Sequence, residues 1–355
     1  MAEHDRGTFD GLLHELLDRG GTELHLSAGS PPRLRLPSGL VALAAADRLD
    51  PEALEALLAE ALGGPPVPEG TWAYGLEGRS RFRLSVFVQR GTPAAVCRAL
   101  PPAPPTLEEL GLPAGYAAAA EAEGGLDLVA GRAASGVSRT VAAVVDRINR
   151  SRPVHVMTVE DPVEVLHRHD VALVTQREVG SDVASVAEAV AQARHASPDV
   201  LVVGEVPSPP AVREVLDAAA AGLRVIAAVR ATDTPAAVAR VLEAFPAGER
   251  AWVRVRLAEL LRAVYAQQLV PTVDGGHVPA CEVLPVGDSV RTQVREGRGS
   301  SPLDLGLRQM LSEGHGGAVS VDAALGDLVR DGVVDFDVAL QRCVSPPVFR
   351  RYARR

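Results

Sequence analysis

Leu126-Asp127-Leu128-Val129-Ala130-Gly131-Arg132-Ala133-Ala134-Ser135-Gly136-Val137-Ser138 runs from an apolar stretch through a glycine-flanked loop into Ser138 to Asn149, which reads as a helix. A phosphate-binding loop has a glycine, four residues, a second glycine, a lysine and a Ser or Thr, set between a strand and a helix. Gly131, Gly136 and Ser138 occupy their places in that pattern. The lysine position holds Val137. The lysine matters because it reaches the outer phosphates and neutralises charge that develops during transfer. Each charge-assisted hydrogen bond lost is worth roughly 1.5–3 kcal/mol, and about 1.36 kcal/mol of transition-state stabilisation is tenfold in rate. Backbone N–H groups at the start of the helix remain to attract an anion. Arg132 and Arg139 lie close enough in sequence to lean in. A loop this degenerate, taken alone, is better read as a plain strand-to-helix turn.

The segments around the loop alternate between strand and helix. Val154 to Thr158 reads as a strand, Val183 to His195 as a helix, Val200 to Val203 as a short strand buried on both faces. Ala211 to Ala221 reads as a helix and Arg224 to Val229 as a strand. This rhythm predicts a mostly parallel sheet covered by helices, with ligands bound at the carboxyl ends of its strands. Beyond Arg250 the pattern is mostly helical, apart from a short strand pair around Gln268 to Leu284.

Upstream the chain has a different character. Phe9, Leu12, Leu13, Leu16 and Leu17 have the spacing of an amphipathic helix. Glu23 to Leu26, Arg33 to Leu36 and Arg81 to Val88 alternate as half-buried strands, and Pro51 to Leu62 reads as a helix. These make a small α+β domain over residues 1–100. Pro101-Pro102-Ala103-Pro104-Pro105 opens a semi-rigid linker at 101–112, and an α/β domain occupies 113–355.

Composition bounds the function. Apolar residues make up 47% and aromatics 3%, so the core must be built from Ala, Val and Leu. The net charge of -9 argues against nucleic acid as a partner. Cys97, Cys281 and Cys343 have no metal-ligand spacing. No apolar run is long enough to span a membrane, and the charged Met1–Asp10 stretch does not read as a secretory signal. The chain contains no lysine; all its permanent cations are arginines. His167 and His169 lack the further ligands a metal site needs. Arg350-Arg351 and Arg354-Arg355 read as a frayed basic end.

Several segments resemble, in order, those of the type II/IV secretion ATPases, and most closely their pilus-retraction (twitching motility) branch. They are Gly21 to Pro32, Thr106 to Pro113, the acidic stretch Thr158-Val159-Glu160-Asp161-Pro162-Val163-Glu164, Gln176 to Gly180, Ser197 to Glu205 and the late helix Ser289 to Gly297. The resemblance implies an N-terminal PAS-like α+β domain followed by a C-terminal RecA-like P-loop NTPase domain. It implies cytoplasmic hexamers that bind ATP and Mg2+ and act at the inner-membrane face on a pilus or secretion platform protein, with only peripheral membrane association. By the same resemblance Glu205 orients or activates the attacking water and Glu160 helps hold metal and water. Gly131, Ser135, Gly136, Val137, Ser138 and Arg139 line the nucleotide, with Ser138 on the metal. Arg81, Arg83 and Arg90 supply interfacial arginines. A solvated strand face explains Arg81 and Arg83 equally well.

The departures from the family pattern fall on residues that would touch nucleotide. Beside Val137, Ala134 replaces a loop glycine. Pro207-Ser208-Pro209-Pro210 stands where an Arg-Asp pair is expected. Leu223 and Arg230 replace two histidines. A hydrolytically impaired regulatory or assembly subunit is therefore expected. A working motor with arginine in place of the lysine is the alternative, and a free-standing interaction module the third.

Overall fold

A computed structural model describes residues 8–43, 46–64, 69–101, 103–296 and 300–354. Of the positions read above, residues 1–7, Pro102, Gly297 and Arg355 lie outside the described residues. The chain forms two compact units: Met1–Ala103 with Pro162–Leu166, and Pro104–Asp161 with His167–Arg355. The return of the short Pro162–Leu166 stretch to the first unit has no signature in the sequence. Its Val163 and Val165 are both buried.

In the first unit, α1 (Phe9–Asp18) is followed by β1 (Glu23–Ser27), β2 (Arg33–Leu36), β3 (Gly39–Ala42), α2 (Pro51–Leu62), β4 (Gly70–Leu76), β5 (Ser80–Gln89) and β6 (Thr92–Ala99). The strands form one antiparallel sheet in the order β3-β2-β1-β6-β5-β4. α2 starts where Asp50 accepts the Ala53 N–H with Pro51 in the first turn, and it stops at left-handed Gly63. Alternation on β5 buries Phe82, Leu84 and Val86 among Phe9 and Leu12 of α1 and Leu54 of α2. β3, β4 and β6 carry weaker alternation than β5, and pairing with stronger neighbours makes them strands.

The second unit runs α3 (Gly115–Glu121), β7 (Gly125–Gly131), α4 (Val137–Ser151), β8 (His155–Glu160), β9 (Leu173–Glu178), α5 (Val186–Ala193), β10 (Val200–Val203), α6 (Pro209–Ala220), β11 (Arg224–Arg230), α7 (Thr234–Glu243), α8 (Arg250–Leu260), β12 (Leu261–Pro271), β13 (His277–Pro285), α9 (Asp288–Glu296), α10 (Ser300–Ser312), α11 (Val321–Arg330), α12 (Phe336–Leu340) and α13 (Pro346–Ala353). Its sheet has the order β13-β12-β7-β11-β10-β8-β9. Every neighbouring pair is parallel except β12 with β13. All four residues of β10 are buried, as a continuous apolar run predicts. Leu126 and Leu128 face a cluster built with α5 to α8, whereas Val129 faces the opposite cluster with Val141 and Val144 of α4.

Three expectations change. α5 is shorter than Val183 to His195, because Ser185 caps it by accepting the Glu188 N–H (3.2 Å). The strand pair expected near Gln268 begins at Leu261, where a helical reading stood, because β12 pairs with both β7 and β13. The basic C-terminus is not frayed through Tyr352: α13 is anchored by fully buried Phe349, whose ring lies 5.2 Å from that of Phe336. No helix among the described residues is long and apolar enough to cross a membrane.

Candidate nucleotide site

The glycine loop closes the carboxyl end of β7. A Cβ at Gly131 would stand 2.1 Å from the Ser135 hydroxyl and 2.7 Å from Cγ2 of Val137, so only glycine fits. Gly136 has φ +85 and caps α4 without a side-chain hydrogen bond, which leaves the helix N-terminus open to an anion. Ala134, where the family pattern has glycine, sits at φ 62. That conformation costs an L-residue about 1–2 kcal/mol. Gln267 on β12 fixes the loop from beneath. Its Nε2 donates to the Ser135 carbonyl (2.8 Å), and its Oε1 accepts from Thr140 Oγ1 (2.8 Å). The Ser135 hydroxyl is buried without a hydrogen-bond partner among the described residues.

Val137 is half-buried and packs against the apolar cluster that includes Val129, Val141 and Val144. The position that would carry a cation thus holds an apolar side chain lying between the loop glycine Gly131 and that cluster. Ser138 and Arg139 are exposed on the first turn of α4. Arg132 lines a cavity of about 860 Å³ together with Ser135, Gln267, Asp233, Glu282 and Arg308; Arg139 does not. Glu282, 5% exposed, accepts hydrogen bonds from the Thr234 N–H (2.9 Å), Thr234 Oγ1 (2.7 Å) and the Val321 N–H (3.3 Å). Burial raises its pKa, and these donors oppose the shift. Asp233 caps α7 and accepts from Arg308 (2.9 Å). Sequence reading passed over this group, although Asp233 followed by Pro235 is a helix-start signal.

The expected carboxylates lie along the same edge of the sheet. β11 runs between β7 and β10, and its last residue, Arg230, is in register with Gly131. Glu205 follows β10. It is tied to Arg230 by two contacts, from Arg230 Nε to Oε1 (2.7 Å) and from Nη2 to Oε2 (2.9 Å). Glu160 ends β8 and accepts from Thr158 Oγ1 (2.6 Å) and Gln176 Nε2 (3.1 Å). Gly204 and Glu160 are adjacent: the Gly204 N–H donates to the Val159 carbonyl (2.8 Å). The fold therefore brings Gly131, Arg230, Glu205 and Glu160 to one edge. Arg230 stood out in the sequence only as a missing histidine; its pairing with Glu205 depends on strand order. Pro209 and Pro210 open α6, where a fixed φ suits a first turn, and Leu223 packs against the core.

Magnesium takes few protein ligands and fills its shell with phosphate oxygens and water. Among the described residues no group of three or more His, Cys, Asp or Glu side chains could hold a metal. Ser138, on the first turn of α4, and Glu160, at the end of β8, are the oxygen donors that the family resemblance assigns to a magnesium arriving with its nucleotide. His169 Nδ1 accepts the Val174 N–H (3.2 Å), and burial pushes His167 down to about 4.

In the first unit, Arg81 and Arg83 share the face of β5 opposite Phe82. Arg83 is ion-paired with Glu164 of the returning stretch. Arg90 lies beyond the end of β5, in its turn to β6, with φ 53, and is not on that face.

The profile of the Type II/IV secretion system protein family matches residues 77–303. The type IV pilus retraction ATPase PilT of Pseudomonas aeruginosa is 32% identical over 348 residues, covering 95% of this chain and 98% of that protein. A twitching motility protein of Neisseria gonorrhoeae is 36% identical over 276 residues, 77% of this chain and 72% of its own length. The crystal structure of the pilus retraction motor PilT with bound ADP superposes with a TM-score of 0.86 at 30% identity, covering 97% of this chain and 99% of that one. The second unit is accordingly RecA-like, and the chain belongs to the Type II/IV secretion system protein family, with relatives among the pilus-retraction ATPases.

Proposed function

We propose that this chain is a PilT-like subunit that binds ATP with Mg2+ but hydrolyses it poorly, and that it acts as a regulatory or assembly subunit of a pilus or secretion motor. One observation carries this reading: the lysine position is Val137, an apolar side chain that lies between the loop glycine Gly131 and the apolar cluster and offers a phosphate neither charge nor donor. Nucleotide binding is supported by the open helix N-terminus at Gly136 and by the ADP bound to the related PilT structure. The ring would be a hexamer, of this chain alone or mixed with a family paralogue, with the PAS-like first unit and its Arg81, Arg83 and Arg90 at subunit boundaries. Its place would be the cytoplasmic side of the inner membrane, against a platform protein, without nucleic acid. Arg230 beside Gly131 favours a second reading, a working motor with an arginine in the lysine's role.

Calorimetric titration with Mg-ATP and a phosphate-release assay separate the two. The proposal expects binding with release no faster than that of Glu205→Gln. Measurable release that Glu205→Gln abolishes would establish the motor instead.

A further inference from the structure

We infer that Arg230 is a sensor of the terminal phosphate, held in reserve by Glu205 and exchanged onto a nucleoside triphosphate. The inference rests on reading this edge of the sheet as a nucleotide site. Loop backbone N–H groups hold the inner phosphates of a nucleotide, and the lysine serves the outer ones. With valine at position 137, the outer phosphate has lost its usual cation.

The strand order supplies another. Arg230 ends β11 directly beside Gly131, on a strand about 4.8 Å away. It also separates the loop from Glu205 on the far side. The guanidinium already makes a two-point contact with a carboxylate. A planar fork that matches a carboxylate in this way matches a phosphate equally well. Arg230 and Glu205 are 68% and 39% exposed. An ion pair so open to water is weakly held, and a multiply charged phosphate competes for the fork on favourable terms. The same exchange strips Glu205 of its counter-ion. The carboxylate is thus neutralised without a terminal phosphate and released with one, which lets the subunit register triphosphate against diphosphate even if turnover is slow.

The test is calorimetric titration of the full chain with Mg-ADP and with the non-hydrolysable β,γ-imido triphosphate. Wild type is expected to favour the triphosphate by about tenfold or more. Arg230→Gln should bring that ratio to about one while leaving ADP affinity in place, and Arg230→Lys should restore part of it. Glu205→Gln should tighten the triphosphate by about tenfold and leave ADP unchanged. The double variant should behave as Arg230→Gln does. A triphosphate preference that survives Arg230→Gln overturns the inference, as does a Glu205→Gln effect equal for both ligands. Wild type that binds both ligands equally defeats this inference alone. Wild type that binds neither defeats the nucleotide-site reading as well.

Discussion

The side-chain amide of Gln267 joins two parts of the candidate site: it donates to the Ser135 carbonyl in the loop and accepts from Thr140 Oγ1 on α4, each across 2.8 Å. Gln267 is 4% exposed, so neither partner has water to replace it. Gln267→Leu leaves a buried carbonyl and hydroxyl unsatisfied, at about 1–3 kcal/mol each. Urea denaturation should show a loss in that range or above. Gln267→Glu keeps the acceptor for Thr140 but loses the donor to Ser135, and should also weaken nucleotide binding by disturbing the loop.

Arg224 and Asp127 form an ion pair between β11 and β7, each 2% exposed. Burial raises the Asp127 pKa against the pull of Arg224. Arg224 also donates to the Ala119 carbonyl (2.9 Å). Removing one partner leaves a buried charge alone, at about 3–5 kcal/mol. Arg224→Met is therefore expected to destabilise strongly. Adding Asp127→Leu to Arg224→Met should recover part of the loss in the same denaturation experiment.

Ala134 holds a left-handed conformation that glycine adopts without strain. Ala134→Gly relieves about 1–2 kcal/mol of strain and costs about 0.4–1 kcal/mol through the more flexible unfolded chain. A net gain near 1 kcal/mol should appear as a raised denaturation midpoint with an unchanged slope.

Val137→Lys alone is not expected to create a motor. Leu223 and Arg230 still stand where the family pattern has histidines, and the new lysine stem would still lie against the apolar cluster that Val137 touches. Phosphate release should rise by less than about tenfold, which is about 1.4 kcal/mol in the barrier. Robust turnover by this single variant would mean that the rest of the hydrolytic centre is intact.

Glu23 is the acidic centre of the first unit. Burial alone would raise its pKa, but hydrogen bonds from Arg35 (2.8 Å), Arg98 (2.6 Å) and His25 (3.0 Å) outweigh burial and lower it to about 2. The unfolded chain holds this proton more tightly than the folded one. The stabilisation is therefore complete above the ordinary carboxylate range, near 4.5, and is lost as pH falls toward about 2. Glu23→Gln should lower stability at pH 7 and flatten its decline in acid, measured by urea denaturation across that window.

The sequence by itself determined the two-part organisation, the strand–loop–helix at Leu126 to Asn149 and the vacancy at the lysine position. These are local properties: hydrophobic period, glycine placement and residue identity within a few positions. β9 and α7 escaped, and β12 was begun too late, because short segments of ambiguous period take their state from neighbours distant in sequence. The site divides the same way. Gly131, Gly136, Ser138, Glu160 and Glu205 could be named from motif and order, but the partners that decide their chemistry could not. Whether Arg230 reached Glu205 and whether Gln267 held Ser135 were settled by strand order and register. Tertiary structure alone juxtaposes the ends of β12, β7, β11, β10 and β8, because parallel strands meet only through crossovers that separate their residues widely along the chain.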